Sequence, residues 1–275
     1  MKTPPSSHFT SIDLRKTFNL RRTELPPSLR TPRPFDDVYG ERTIHGMPFA
    51  LGDDAQSDKD VLFLDADEID IPVDGLKAGY LLFLHVVEDR KTNYQTGLAD
   101  HELDGNELGQ TVSTYSIQYA DGSRHETPVL RRFAIQQART QWGASAFAAI
   151  PALEPLVTPS AGDDRKANGA TALDYGKGET RHTAGRDRSG EHLWLYALPN
   201  PYPDKRIQHI RCMPGQERSA IYAITAAPHA EHPLRPGTRR KLRLALPAGA
   251  SLNAIGELED VAIDLGTVIS ARAVL

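Results

Sequence analysis

The stretch Gly79–Val87, GYLLFLHVV, decides the fold class of this chain. Its residues are apolar on both of the faces that a two-residue period separates, so a strand here sits centrally in a sheet covered on both sides. His85 then lies inside or beside the core. Outward from this run, other short runs rich in β-branched and aromatic residues recur: VSTYSIQYA at Val112–Ala120, HLWLYAL at His192–Leu198, RIQHIR at Arg206–Arg211 and SAIYAITA at Ser219–Ala226, with a first strand over Phe9–Phe18. The 20 prolines and 21 glycines fall between them, which is how turns punctuate many short strands rather than a few long helices. The expected class is all-β.

In TYSIQYADGSRHETPVL, Tyr115, Ile117 and Tyr119 share one face, and Asp121-Gly122 then predicts a hairpin closed by a two-residue primed turn. The alanines and glutamines of Ala134–Ala149 favour a helix, which Gly143 interrupts. Residues Pro155–Ser189 are small, polar and glycine-rich, a long loop of the kind that carries function or moves. A boundary signal follows at Ala227–Gly237, APHAEHPLRPG, and divides the chain into residues 1–230 and 231–275. RKLRLALPAGA and VAIDLGTVISARAVL, beyond it, alternate again in the β manner. About forty residues cannot bury a core alone, so they pack on the first unit or open a second domain of a longer protein.

With 32 basic against 36 acidic residues, the chain has no field to draw nucleic acid or an anionic membrane. The first residues, MKTPPSSHFTSIDL, lack the apolar stretch of a signal peptide; a cytoplasmic location is expected, export remaining open. The single cysteine, Cys212, excludes an intrachain disulfide framework and reads as a small buried hydrophobe.

No complete catalytic motif occurs. His229 and His232 form an H-x-x-H in a proline-rich linker that aims neither imidazole at a shared ion, and His45, His85, His125, His192 and His209 stand singly on strands. DHELDGNE offers Asp100, Glu102 and Asp104 followed by Gly105, the beginning of an oxygen-lined calcium loop whose closing glutamate is replaced by Thr111. Calcium is therefore the one cofactor these residues admit, and none is required. Asp53, Asp54, Asp58 and Asp60 repeat the acidic character without a glycine turn. Tyr39, Tyr94, Trp142, Tyr175 and Tyr202 lie near loops, where they could stack on a sugar ring or pack at the rim. In GERTIHGMPFALG, Gly40–Gly52, the glycines punctuate a short strand; Met47, Phe49 and Leu51 face a core, and His45 reads as an anchor for the proline-rich crossing that precedes it.

Taken in order, IDLRKTFN, GERTIHGMPFALG, GYLLFLHVV, YSIQYADGS, HLWLYALPNPYPDKRIQHIRC and SAIYAITAA resemble the galactose-binding-like jelly-roll β-sandwich at the front of carbaryl-hydrolase-type bacterial metallohydrolases, whose catalysis lies in a later domain of the polymerase-and-histidinol-phosphatase class. The resemblance covers residues 9–227 as scattered motifs. It implies an antiparallel jelly-roll sandwich with long loops and a C-terminal β-extension. It also implies a non-catalytic accessory module that positions the catalytic domain, supports an oligomer or binds a carbohydrate-like ligand, with a downstream catalytic domain or a sister subunit as partner. The H-x-H that opens the catalytic domain of those enzymes has no counterpart here, so no catalytic residue is carried over. Loops at one end of such sandwiches bind ligands, and there the resemblance would gather Arg42, His45 and Asn200. The alternatives are a hydrolase in its own right, using Pro155–Ser189 as a lid, and a free-standing calcium-dependent carbohydrate-binding domain.

Overall fold

The computed structural model describes residues 8–53, 59–90, 108–140, 145–152, 191–235, 240–258, 261 and 271–272. Their strands, in chain order, are β1 (Thr10–Ile12), β2 (Gly40–Ile44), β3 (Met47–Leu51), β4 (Leu62–Leu64), β5 (Ile69–Leu76), β6 (Tyr80–Val87), β7 (Thr111–Tyr119), β8 (Arg124–Leu130), β9 (Ala149–Pro151), β10 (Trp194–Pro199), β11 (Ile207–Pro214) and β12 (Ser219–Ala227). One sheet runs β4-β12-β6-β10 and the other β5-β11-β7-β8, with every ladder antiparallel. That alternation of strands between two sheets is the eight-stranded jelly roll. β1 lies end to end with β4 along the same side of β12, and β9 extends the sheet beyond β10.

The two-sided apolar pattern of β6 is realised. Leu81 and Phe83 face the second sheet, where they meet Tyr115, Ile117, Ile210, Cys212 and Ile224 in the sandwich interior. Leu82, Leu84 and Val86 face the other way, into a second apolar cluster with Leu29, Phe35, Phe49, Leu195 and Tyr222. β12 is buried along its whole length for the same reason.

What covers the outer face is the proline-rich crossing together with the β2–β3 hairpin. GERTIHGMPFALG is that hairpin: His45 and Gly46 both have positive φ, 50° and 80°, and form a two-residue primed turn whose twist matches its strands. Met47, Phe49 and Leu51 point into the outer cluster. The crossing is pinned by a buried ion pair, Arg22 Nε donating to Asp60 at 2.5 Å, while Arg22 Nη1 donates to the Phe35 and Val38 carbonyls at 2.9 Å each. Asp60 is therefore a structural counter-ion rather than part of an acidic loop.

Two local expectations are corrected. In the β7–β8 turn only Gly122 is left-handed, at φ 82°; Tyr119 N bonds Ser123 O at 2.9 Å, giving a three-residue loop. The Asp121 carboxylate accepts from Ser123 N and Oγ, which stabilises the turn without a positive φ at Asp121 and removes the need for a primed turn. The described residues of Ala134–Ala149 are not helical: Ile135, Gln136 and Gln137 are buried at the end of the sandwich, where tertiary contacts override propensity.

If both faces of β6 are core, Phe83→Ala and Leu84→Ala should each lower unfolding free energy by about 2–5 kcal/mol. Urea denaturation of the two variants checks this, and a cost below about 1 kcal/mol for Leu84→Ala would mean that the outer layer does not seal the sheet.

Candidate functional site

The C-terminal ends of β4, β6, β8 and β11 lie at one end of the jelly roll, and a buried polar network is found there. Arg131, the residue after β8, is wholly buried. Its Nε donates to Glu217 Oε2 at 2.8 Å, Nη1 to the side-chain oxygens of Gln136 and Gln137 at 3.2 and 3.1 Å, and Nη2 to the Glu88 carbonyl at 2.7 Å. Glu217 is bonded through its other oxygen to Arg90. Alongside, the Glu88 carboxylate accepts from the Nε, Nη2 and backbone N of Arg218. Burial pushes that carboxyl up, and the Arg218 bonds more than offset this, holding it below its ordinary value.

His85 supports the same loop from inside the core. Its Nε2 lies 2.9 Å from the Ala134 carbonyl, which can only accept, so Nε2 carries the hydrogen; Nδ1 then accepts from the Tyr115 hydroxyl at 2.9 Å. The ring is neutral, and burial pushes it down to about 4. Trp194 Nε1 adds a further bond, to the Gln137 carbonyl at 2.9 Å. Residues 131–137 are thus held by an arginine, a histidine and a tryptophan on three different strands or strand ends.

Above this support the chain presents aromatic rings to solvent. Arg132 has a positive φ of 64°, a conformation that costs a non-glycine residue about 1 kcal/mol or more and persists only where neighbours enforce it. The enforcing bonds are Arg132 N to Ile135 O at 2.7 Å and Phe147 N to Arg132 O at 2.9 Å. Phe133 and Phe147 stand 39% and 63% exposed. Their centroids are 5.4 Å apart, and the Arg132 guanidinium lies 5.4 Å from the Phe147 ring. Leu108, also exposed, precedes Gly109, which lies against the Phe133 ring.

The residues singled out in the sequence do not gather here. Arg42 is exposed on β2 and donates to the adjacent Glu41 carbonyl. His45 donates from Nε2 to the Pro151 carbonyl at 2.8 Å, tying the hairpin turn to β9 opposite Trp194. Asn200 follows the far end of β10, roughly 20 Å away at ~3.3 Å per residue. There its Oδ1 accepts from the Tyr119 hydroxyl at 2.5 Å and from Tyr202 N at 3.0 Å, while Nδ2 donates to Ala78 O at 2.7 Å. The residue clamps three turns together. Asp100, Glu102 and Asp104 lie outside the described residues, as do Tyr94, Trp142 and Tyr175. Tyr39 lies under Arg22, 4.0 Å from its guanidinium carbon, and Tyr202 is 47% exposed at the Asn200 end.

Sequence reasoning missed Arg131, Glu217, Phe133 and Phe147. An arginine and a glutamate far apart in sequence carry no mark of pairing, and phenylalanine is ordinarily core. The available signal was RRFA directly after a strand, an apolar ring between two charged residues and an alanine. Among the described residues no three His, Cys, Asp or Glu side chains gather into a set that could hold a metal, and no helix is long and apolar enough to cross a membrane. Comparison with protein-family models, with curated proteins and with solved structures finds no match.

The unfolded chain protonates His85 near 6.5 and the folded one near 4. Between those values the unfolded state holds the extra proton, so the stability that accompanies the neutral ring is complete above pH 6.5 and is lost as pH falls through that window, by roughly 3 kcal/mol. Asp89, raised to about 6 chiefly by burial, has the opposite sign: its contribution is present at low pH and lost as pH rises through about 6. His85→Gln should therefore flatten the acid limb, reducing the loss of unfolding free energy between pH 7 and 4.5 by about 2 kcal/mol relative to the unmodified chain. Urea titrations at the two pH values measure it, and equal losses would contradict a sealed neutral ring.

Proposed function

We propose that this chain is a non-catalytic β-sandwich module that binds a carbohydrate-like ligand on the Phe133/Phe147 rim and serves as an accessory part of a larger bacterial metal-dependent hydrolase. The observation that carries the binding role is the pair of half-exposed rings propped outward by a left-handed arginine. Aromatic faces of this kind pack against the apolar face of a sugar ring, and a guanidinium beside them donates hydrogen bonds to hydroxyls. The strain at Arg132 costs stability yet is held by hydrogen bonds on both sides, and such positions concentrate where a ligand is met.

The non-catalytic part of the reading rests on what has become of the chemistry-bearing residues. His85, Tyr115 and Cys212 are sealed in the interior, where burial pushes the tyrosine and the thiol well above their ordinary values. Glu217 and Glu88 are bonded to arginines. None of them is presented to a substrate in a form suited to nucleophilic attack or proton transfer. The parent enzyme is supported by the ordered motifs alone, from IDLRKTFN to SAIYAITAA.

Titration of the purified chain with a panel of neutral oligosaccharides, followed by calorimetry, tests the binding role. A ligand should be found whose affinity falls about tenfold or more in Phe147→Ser and in Phe133→Ser, with thermal midpoints within a few degrees of the unmodified chain because neither ring is buried in the core. Binding unaffected by either change would place the site elsewhere, and hydrolysis of esters or carbamates by the purified chain would refute the non-catalytic assignment.

A further inference from the structure

A second exposed feature lies beyond the sandwich. Residues 240–247 carry no helix, turn, bend or strand pairing. Within them Leu242, Leu244 and Leu246 are 69%, 50% and 43% exposed. The leucines alternate with Lys241, Arg243 and Ala245, so an extended chain places three leucines on one face and two cations on the other. This is the pattern of a half-buried strand without a sheet.

β5 offers the matching edge. Among the described residues it pairs only with β11, and no described strand lies along its other side. Its inward face carries Ile69, Ile71 and Val73, of which Ile69 is only partly buried. Asp65, Asp67, Glu68 and Asp70 run along and just before it, all exposed. Only part of this charge is offset, by Arg211 on Asp70 and Glu68 and by Arg218 near Asp65. The other long edge, β8, carries Arg124, His125 and Glu126 and has no single sign. An acidic edge with a proline, Pro72, repels neutral and acidic strands, yet it can accept a basic one, because Pro72 removes a single donor from the ladder.

We infer that residues 240–246 add as a strand to the β5 edge of a second copy of this chain. The leucines would then extend the sandwich interior at its seam, and Lys241 and Arg243 would flank the acidic run. The exposure of the leucines favours a second copy over the chain's own edge. Leu234 packs in the outer cluster, and the His232 ring lies 5.3 Å from that of Tyr80. Leu242, Leu244 and Leu246 stand 69%, 50% and 43% exposed, so they are not seated against the β5 edge of their own chain. Pro228 and Pro233 stiffen the chain that leads to this segment, and exchange of a strand between copies is a low-cost route to a dimer.

Light scattering on the full chain over a range of concentrations should detect a dimer whose dissociation constant rises about tenfold or more between low and high salt. Leu242→Asp with Leu244→Asp should give a monomer with an unchanged thermal midpoint, since both side chains are exposed in the monomer. A mixture of Arg243→Cys chains with Pro72→Cys chains should form an interchain cross-link, the centres of the two strands lying opposite in either direction, while Cys212 stays buried and unreactive. The inference is overturned by a monomer at every concentration, by a dimer that survives the leucine changes, or by a cross-link that forms only when both cysteines share one chain.

Discussion

A sheet whose central strands are apolar on both faces cannot stand as the wall of a simple two-layer sandwich. β6 and β12 bury every residue they can on each side, so the chain must supply a third layer. It does so with a segment rich in proline and poor in regular structure, which contributes Leu25, Leu29 and Phe35 to the outer cluster but almost no ladder bonds. The backbone polar groups of such a crossing need partners under cover. Arg22 supplies several of them at once, bonded to Asp60 and to two main-chain carbonyls while its guanidinium lies over Tyr39. A lysine could not do this, since one ammonium lacks the planar fork that spans carboxylate and carbonyls together.

The polar end of the jelly roll follows the same logic with a different outcome. Burying Arg131 and Glu217 is costly, and the attraction between them offsets that cost only because further hydrogen bonds satisfy what remains of each group. Gln136, Gln137, Arg90 and the Glu88 carbonyl complete the set. The return is geometric. A loop that an apolar core would leave free to repack is fixed in one conformation, and the strained Arg132 beside it is the visible consequence. A rim assembled this way holds the backbone of Phe133 and Phe147 with little conformational freedom left to lose.

Legibility in the sequence divides along a physical line. Features that depend on local period and turn chemistry were readable: the two-sided burial of GYLLFLHVV, the alternation of Met47, Phe49 and Leu51, the burial of Cys212, and the position of the β7–β8 hairpin. The type of that hairpin turn was not, because the Asp121 side chain bonds to Ser123 and changes which backbone conformations are favoured. His45 fulfils an anchoring part, its Nε2 donating to the Pro151 carbonyl of β9. Asn200 lies at the opposite end because β10 separates them, a fact of topology that residue spacing does not carry. The Arg131–Glu217 pair joins residues 86 positions apart, and nothing short of the folded register brings them together.

That topology also fixes how the two exposed apolar features relate. Phe133 follows β8 at the end where β12 begins, whereas the chain leaves the sandwich after Ala227, at the end where β12 pairs with Tyr80. The length of β12, about 30 Å at ~3.3 Å per residue, lies between the aromatic rim and the departing strand. At the rim Arg131, His85 and Trp194 bond to Glu217, Ala134 and Gln137, while at the other end the turn clamp joins Asn200 to Tyr119 and Ala78. Changes at sites so far apart act nearly additively, so the aromatic rim and the turn clamp are energetically separable.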